Sequence, residues 1–294
     1  MTGRLLLILA ALLWSLSSLF TRLFQTPSIW GINEPALTPL QIAFYRSFFA
    51  GLFFLPMVKL RDIRFRPAMF GMVGAFAVMN VLFLTAMARG SAANAIFLQY
   101  TAPLWVFLLG MIGIGERAQP GSGRMMTLCG LGLLVIILGS WFSGTVDDPE
   151  VIALALGSGV AYSAVLLGLR YLRAESSAWL TALNHLGAAI CLWPFVMHYA
   201  WPTVSQFVAL ALFGVVQMGI PYWLMARGLR TIKPQEAGMI TLLEPILTPL
   251  WAYLMVPDKE SPSWSTWLGG IIILGALAWR YWPRRSASPA PVSP

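Results

Sequence analysis

The sequence predicts an all-α integral membrane protein with ten transmembrane helices, arranged as two inverted five-helix repeats around a central cavity. Three observations carry that prediction: apolar runs of spanning length, a one-sided distribution of basic residues, and short sequence echoes between the two halves.

Of the 294 residues, 58% are hydrophobic and only 10% are charged, against about 25% charged in an ordinary soluble domain. A chain so composed cannot clothe itself in a polar shell. Its apolar runs fall at residues 4–24, 38–58, 67–88, 93–114, 123–142, 150–172, 177–199, 204–226, 234–256 and 264–282. Each has the length of roughly 20 residues that crosses a hydrocarbon core. The first run, behind Arg4, is read as a span rather than a cleaved leader, because no small-x-small site follows it. Connections are too short for a soluble domain. The Pro- and Ser-rich tail, 283–294, is expected to be a disordered cytoplasmic extension.

The net charge of +8 comes from Lys and Arg scattered in short clusters between the runs, a topology signal and not a nucleic-acid patch. Arg4, Lys59, Arg61, Arg64, Arg66, Arg117, Arg124, Arg170, Arg173, Arg227, Arg230, Lys233, Arg280, Arg284 and Arg285 all fall on the side of the termini. Only Arg22, Arg89 and Lys259 fall on the other. By the positive-inside rule both termini are cytoplasmic.

The halves echo one another. Met87-Ala88-Arg89-Gly90 recurs as Met225-Ala226-Arg227-Gly228, an offset of 138 residues, and Leu55-Pro56 is answered by Trp193-Pro194 at the same offset. After a four-residue insertion, Thr101-Ala102-Pro103-Leu104 is matched by Leu243-Glu244-Pro245-Ile246. Residues 1–142 and 150–282 thus form the two predicted repeats. A duplicated unit with an odd number of spans enters the membrane in opposite directions, and inverted repeats are a structural basis of alternating access. Such symmetry favours transport over anchoring or catalysis.

The chain has no GxxxxGK[ST] loop, no complete GxGxxG, no HExxH and no GxSG, so neither ATP-driven transport nor an intramembrane hydrolase is expected. It reads as a non-enzyme without cofactor or metal. Its partners are a small-molecule substrate and the lipid bilayer, with no nucleic acid, and a monomer suffices. Cys129 and Cys191 read as packed thiols.

The opening LLWSLSSLFTRL (12–23), Ala102-Pro103 running on to Gly115-Glu116, Glu244-Pro245 leading to Asp258-Lys259-Glu260, and the glycines Gly130, Gly269 and Gly270 together resemble the drug/metabolite transporter superfamily, in particular its EamA-type ten-span exporters. The likeness covers nearly the whole chain. Pro257-Asp258 stands where the second half would carry Gly-Glu, a departure confined to a loop. The resemblance implies two inverted bundles about a cavity, with the fifth and tenth helices peripheral, and export of small metabolites across a bacterial inner membrane. Members handle amino acids, aromatic compounds, purines and toxic cations; amino acids, aromatic ones first, are the preferred expectation here, with the aromatic amino acid exporter branch as one candidate.

The candidate substrate-binding residues are Trp14, Asn80, Gln99, Tyr100, Tyr162, Gln217, Tyr222 and Glu244. Glu244 lies mid-span, where an acid costs about 2.5–3.5 kcal/mol even on a lenient scale. A cavity-lining cation or proton site and a protonated structural acid both fit it. Pro245 and Pro103 free the carbonyls of Thr241 and Gln99, either as ligand contacts or as plain kinks. Gln99 and Tyr100 precede Pro103, and Gln217 and Tyr222 flank Pro221. Trp14 and Tyr162 occupy corresponding positions in the first and sixth helices. An aromatic lining suits an amphipathic substrate; packed rings are the alternative. Asn80 fits interhelical glue or lining. Arg46, about eight residues into the second span, could hold a substrate carboxylate; snorkelling outward or pairing is the preferred expectation, and it is left outside the site. Asn184 and His185, mid-span on the seventh helix, fit a proton relay, but His185 is expected to be a satisfied packing residue. Trp30, Trp141, Trp179, Trp201 and Trp264, near span ends, read as an interfacial belt.

Overall fold

The computed structural model describes residues 2–27, 31–114, 122–143, 148–232 and 234–282. Among these every regular element is helical, and each of the ten apolar runs is occupied by helix. We number them α1 (Gly3–Ser15 and Ser17–Leu23), α2 (Pro39–Phe54), α3 (Pro67–Arg89), α4 (Ala92–Gln99 and Ala102–Ile114) and α5 (Ser122–Ser143). The second five are α6 (Pro149–Tyr171), α7 (Ser177–Val196), α8 (Val204–Leu212, Phe213–Gly219 and Ile220–Gly228), α9 (Pro234–Thr241 and Leu243–Met255) and α10 (Trp264–Tyr281). Eight of them, all but α5 and α10, are long and apolar enough by composition to cross a membrane, and the chain is a multi-pass membrane protein. Gly115-Glu116, Asp147, Trp30, the Trp141 side chain and the 283–294 tail lie outside the described residues.

Local chemistry sets the helix starts. Pro39, Pro67 and Pro149 stand in the first turns of α2, α3 and α6, where a missing N–H costs nothing. Thr38 and Gln41 form a reciprocal cap on α2, and Thr203 and Gln206 form the same cap on α8. Each glutamine then spends its remaining amide on a connection from the other half. Gln41 donates to the Ala200 carbonyl at 3.0 Å, and Gln206 to those of Ile32 and Pro35 at 3.0 and 2.7 Å.

Four helices are interrupted, α1 at Leu16 and three others beside a proline. α4 breaks at Tyr100-Thr101, just before Pro103, and α9 breaks at Leu242, just before Pro245. In both, the proline can supply no N–H to the residue four earlier. In α8 the interruption is a wide π turn over Phe213–Gly219. In a regular helix the ring of Pro221 would collide with the carbonyl of Gln217, and the widened turn relieves that clash.

The packing between helices repeats from one half to the other. α3 lies on α6 and α8 on α1; α4 on α6 and α9 on α1; α3 on α7 and α8 on α2; while α2 meets α7, α4 meets α9 and α5 meets α10. The α5–α10 contact is backbone-close. A Cβ on Gly132 would lie 2.7 Å from the Gly269 carbonyl oxygen, and one on Gly269 would lie 2.5 Å from that of Gly132. Gly130, which the sequence singled out, faces open space; Gly132 is the contact residue. Ala92, Ala93 and Ala95 at the start of α4 are fully buried, so neighbours approach closely there.

Two apolar clusters form the interior. One gathers Met69, Met72, Phe76, Leu180, Leu192 and Phe213 from α2, α3, α7 and α8 with their neighbours, and the other Met87, Ile96, Phe97, Ile136, Ile152 and Ile273 from α3 to α6 and α10. Cys129 is packed as expected, but Cys191 is exposed on the outer surface of α7, because it and Ile190 lie on the helix face turned from the core. Trp201 and Trp264 are exposed as belt residues should be. Trp179 is instead buried, donating from Nε1 to the Arg64 carbonyl at 2.8 Å.

One end of the bundle is tied by a buried ion pair. Arg22, at the end of α1, binds Glu260 in the α9–α10 connection, with Nε to Oε1 at 2.5 Å. Glu260 Oε2 accepts from the Ala92 N–H at the start of α4 at 3.0 Å, and Arg22 Nη2 donates to the Gly90 carbonyl at 2.6 Å. Nearby, Asn94 of α4 accepts from Thr266 of α10 at 2.9 Å.

Candidate functional site

The polar groups of the interior collect around one arginine. Arg46 stands midway along α2 and is 2% exposed. Its Nη2 donates to Asn80 Oδ1 on α3, and its Nη1 to Gln217 Oε1 on α8 at 3.4 Å. Its Cζ lies 5.1 Å above the Phe213 ring, a cation–π contact that partly offsets desolvation. Nε has no hydrogen-bond partner. A buried guanidinium is therefore held by two neutral amides, with no carboxylate in direct contact among the described residues. Snorkelling does not occur: α3, α7 and α8 enclose α2, so the side chain has no short route to either interface.

Asn80 is locked from both ends, accepting from Arg46 and donating Nδ2 to the Phe76 carbonyl at 2.9 Å. It is interhelical glue and also the platform on which the charge rests. Gln217 reaches out of the π turn in two directions, to Arg46 and, through Nε2, to the Trp14 carbonyl at 2.9 Å. The wide turn is what brings α8 close enough: Gly214 sits where a Cβ would lie 2.6 Å from the Arg46 carbonyl oxygen.

Three rings line this centre. Trp14 and Tyr222 meet edge to face at 5.1 Å between centroids, and Tyr222 meets His185 the same way at 5.6 Å. His185 also packs edge-on against Phe76 at 4.8 Å. Neither of its ring nitrogens has a hydrogen-bond partner, nor does the neighbouring Asn184 Oδ1. His185 packs as expected but is not satisfied, since the side chains around its ring are aromatic.

Glu244 supplies the opposite charge from α9. Its Oε2 accepts from the Tyr100 hydroxyl at 2.8 Å, and the same hydroxyl lies 3.1 Å from the Thr241 carbonyl. The carbonyl freed by Pro245 is thus engaged by a side chain from the matching break in α4. The carbonyl freed by Pro103, that of Gln99, is covered by α6. A Cβ on Gly159 would lie 3.3 Å from it and 2.9 Å from the Leu98 oxygen. Glu244 is half-buried. It and Arg46 feel each other's charge, and Tyr222 lies in the field of both, without a direct ion pair among the described residues.

Of the eight predicted positions, Trp14, Asn80, Gln217 and Tyr222 are joined around Arg46 by these contacts, and Tyr100 and Glu244 form a second pair. Gln99, buried at the α4 break, and Tyr162, half-buried against the first apolar cluster, stand beside them in the packing. Arg46 is the residue sequence reasoning set aside. The signal that would have found it is a mid-span cation with mid-span amides, Asn80 and Gln217, and no nearby acid in sequence to pair with.

The arrangement presents a guanidinium and a carboxyl group within the apolar interior, from α2 in the first half and α9 in the second, with aromatic rings beside the guanidinium. It can hold a small amphipathic solute. Nothing in it resembles a nucleophile paired with a base.

Comparison with known proteins finds transporters. The model of the EamA-like transporter family matches residues 1–138 and again 150–281. An uncharacterized transporter of Archaeoglobus fulgidus is 28% identical over 250 residues, covering 82% of this chain and 87% of its own. The uncharacterized transporter YwfM of Bacillus subtilis is 23% identical, covering 88% and 90%. The aromatic amino acid exporter YddG of Ancylobacter novellus is 24% identical, covering 70% and 72%. A solved crystal structure superposes with a TM-score of 0.61 over 94% of this chain and 96% of its own, at 19% identity, a likeness of fold.

Proposed function

We propose, from the premise that the chain belongs to the EamA-like transporter family, that it is a ten-span secondary carrier exporting amino acids, aromatic ones included, across a bacterial inner membrane. Its two five-helix units, 1–142 and 150–282, lie inverted with respect to each other, with both termini cytoplasmic. The pairwise repetition of helix contacts supports this, since it is the pattern a twofold axis in the membrane plane produces. The excess of Lys and Arg on the terminal side supports the orientation.

One observation carries the functional reading: Arg46 and Glu244, charges that the apolar interior penalises by several kcal/mol each, are kept there on helices of opposite halves, Arg46 held by the amides of Asn80 and Gln217 and Glu244 by the Tyr100 hydroxyl. Intramembrane charges held in this way mark a solute pathway. Trp14, Tyr100 and Tyr222 line it, and rocking of one unit against the other exposes it alternately to the two sides. Tryptophan, phenylalanine, threonine and a purine, each radiolabelled, should be offered to proteoliposomes containing the purified protein. Saturable uptake of the aromatic amino acids is expected, weakened by Tyr100→Ala. Uptake of the purine alone would overturn the substrate assignment.

A further inference from the structure

We propose that Arg46 and Glu244 are the two poles of a zwitterion site, Arg46 taking the substrate's carboxylate and Glu244 its ammonium group, with the side chain seated against Trp14, Tyr222 and His185. The inference rests on the carrier reading above and narrows it to solutes bearing both charges on one small head.

Arg46 is equipped for a carboxylate. A guanidinium presents five N–H donors in a planar fork that matches two carboxylate oxygens at once. Here Nη2 is fixed by Asn80, whereas Nη1 makes only a long bond of 3.4 Å to Gln217 and Nε makes none. Asn80 takes one of the two Nη2 protons, so either the Nε–Nη2 edge or the Nη1–Nη2 edge stays open to an incoming carboxylate, and on the second the Gln217 amide is the group it would displace. Gln217 keeps its second bond, to the Trp14 carbonyl, in either case.

Glu244 complements it. Tyr100 occupies Oε2, and none of the described hydrogen bonds engages Oε1. An ammonium group can bind Oε1 without breaking the Tyr100 contact, and the tyrosine hydroxyl holds the carboxylate in place. Among the described residues no direct ion pair joins the two side chains, and each is held by neutral partners on helices of opposite halves. A zwitterion inserted between them neutralises both, and a solute with one charge leaves the other pole uncompensated. Because an unpaired buried charge is strongly penalised, discrimination should be steep. The rings give room for apolar variety: His185 offers a ring whose nitrogens are uncommitted beside Tyr222, so indole and phenol side chains can find a polar contact as well.

The test is isothermal titration of the purified protein in detergent with L-phenylalanine, 2-phenylethylamine, which lacks the carboxylate, and 3-phenylpropionate, which lacks the amine. Wild-type protein should bind L-phenylalanine at least about tenfold tighter than either analogue. Arg46→Gln should abolish the preference over 2-phenylethylamine while keeping that over 3-phenylpropionate. Glu244→Gln should do the reverse, and Arg46→Lys should restore part of the lost preference. This crossed pattern is one that mere loss of packing does not produce. Equal binding of all three by wild type, in a protein that still takes up labelled L-tryptophan into proteoliposomes, would overturn the zwitterion site and leave the carrier intact. Binding of none, with no amino acid uptake, would overturn both.

Discussion

Removing the carboxylate of Glu260 should be among the most damaging single changes in the protein, although it lies in a connection far from the substrate site. The Glu260 side chain is 1% exposed and that of Arg22 10%, so neither charge is relieved by water. The pair also gathers three places in the chain: the end of α1, the α3–α4 turn through the Gly90 carbonyl and Ala92 N–H, and the connection ahead of α10. Taking away one partner of a buried pair costs about 3–5 kcal/mol, most of it the uncompensated charge left behind. Glu260→Leu and Arg22→Met should each therefore destabilise the protein by about 4 kcal/mol. The double variant removes both charges and should recover at least about 2 kcal/mol relative to the sum. Reversible unfolding in mixed detergent micelles, read by tryptophan fluorescence, measures each corner of the cycle. A double variant whose loss equals the sum of the singles, or a single substitution costing less than about 1 kcal/mol, the upper figure for an exposed pair, would refute the account of this junction.

Four further outcomes follow from particular contacts. Gly269→Leu should separate α5 from α10 and cost about 2 kcal/mol, whereas Gly130→Leu, with no heavy atom within 4 Å of its Cβ position, should leave unfolding unchanged. Asn80→Leu strips Arg46 of its firmest acceptor and should cost about 1–3 kcal/mol in the same assay, while Asn80→Asp should raise stability and suppress uptake by giving Arg46 a permanent counter-charge. Tyr100→Phe removes the hydroxyl from Glu244 and the Thr241 carbonyl; a hydrogen bond to a charged group contributes about 1.5–3 kcal/mol, so the KM for labelled tryptophan should rise about tenfold or more. His185→Phe preserves ring volume but removes the uncommitted ring nitrogens beside Tyr222, so uptake of labelled tryptophan should fall while that of phenylalanine, with no polar group to lose, should stay within roughly twofold of wild type.

The helices were legible because a bilayer imposes a simple length and composition on them. Pro39, Pro67 and Pro149 mark starts that the structure keeps. The breaks in α4 and α9 were legible too, since Pro103 and Pro245 remove specific hydrogen bonds wherever they occur. Less was readable at the site. From sequence, Arg46 stands outside the site because a long side chain about eight residues into a span can snorkel or pair, and only the packing of α3, α7 and α8 around α2 closes the snorkelling route. The π turn in α8 depends on how Pro221 is accommodated within a tertiary context, and it decides where Gln217 points. Likewise Cys191 and Cys129 look alike in sequence, each within an apolar run. Which one packs depends on the helix face that the rest of the fold leaves outside.

The claim that this protein is a carrier, with one substrate site exposed in turn to each side, is tested most directly by counterflow. Proteoliposomes preloaded with unlabelled tryptophan and diluted into a trace of labelled tryptophan should accumulate label transiently above its equilibrium level. Vesicles carrying Arg46→Gln should not. Label that only approaches equilibrium, at a rate indifferent to preloading, would contradict a carrier and describe a channel.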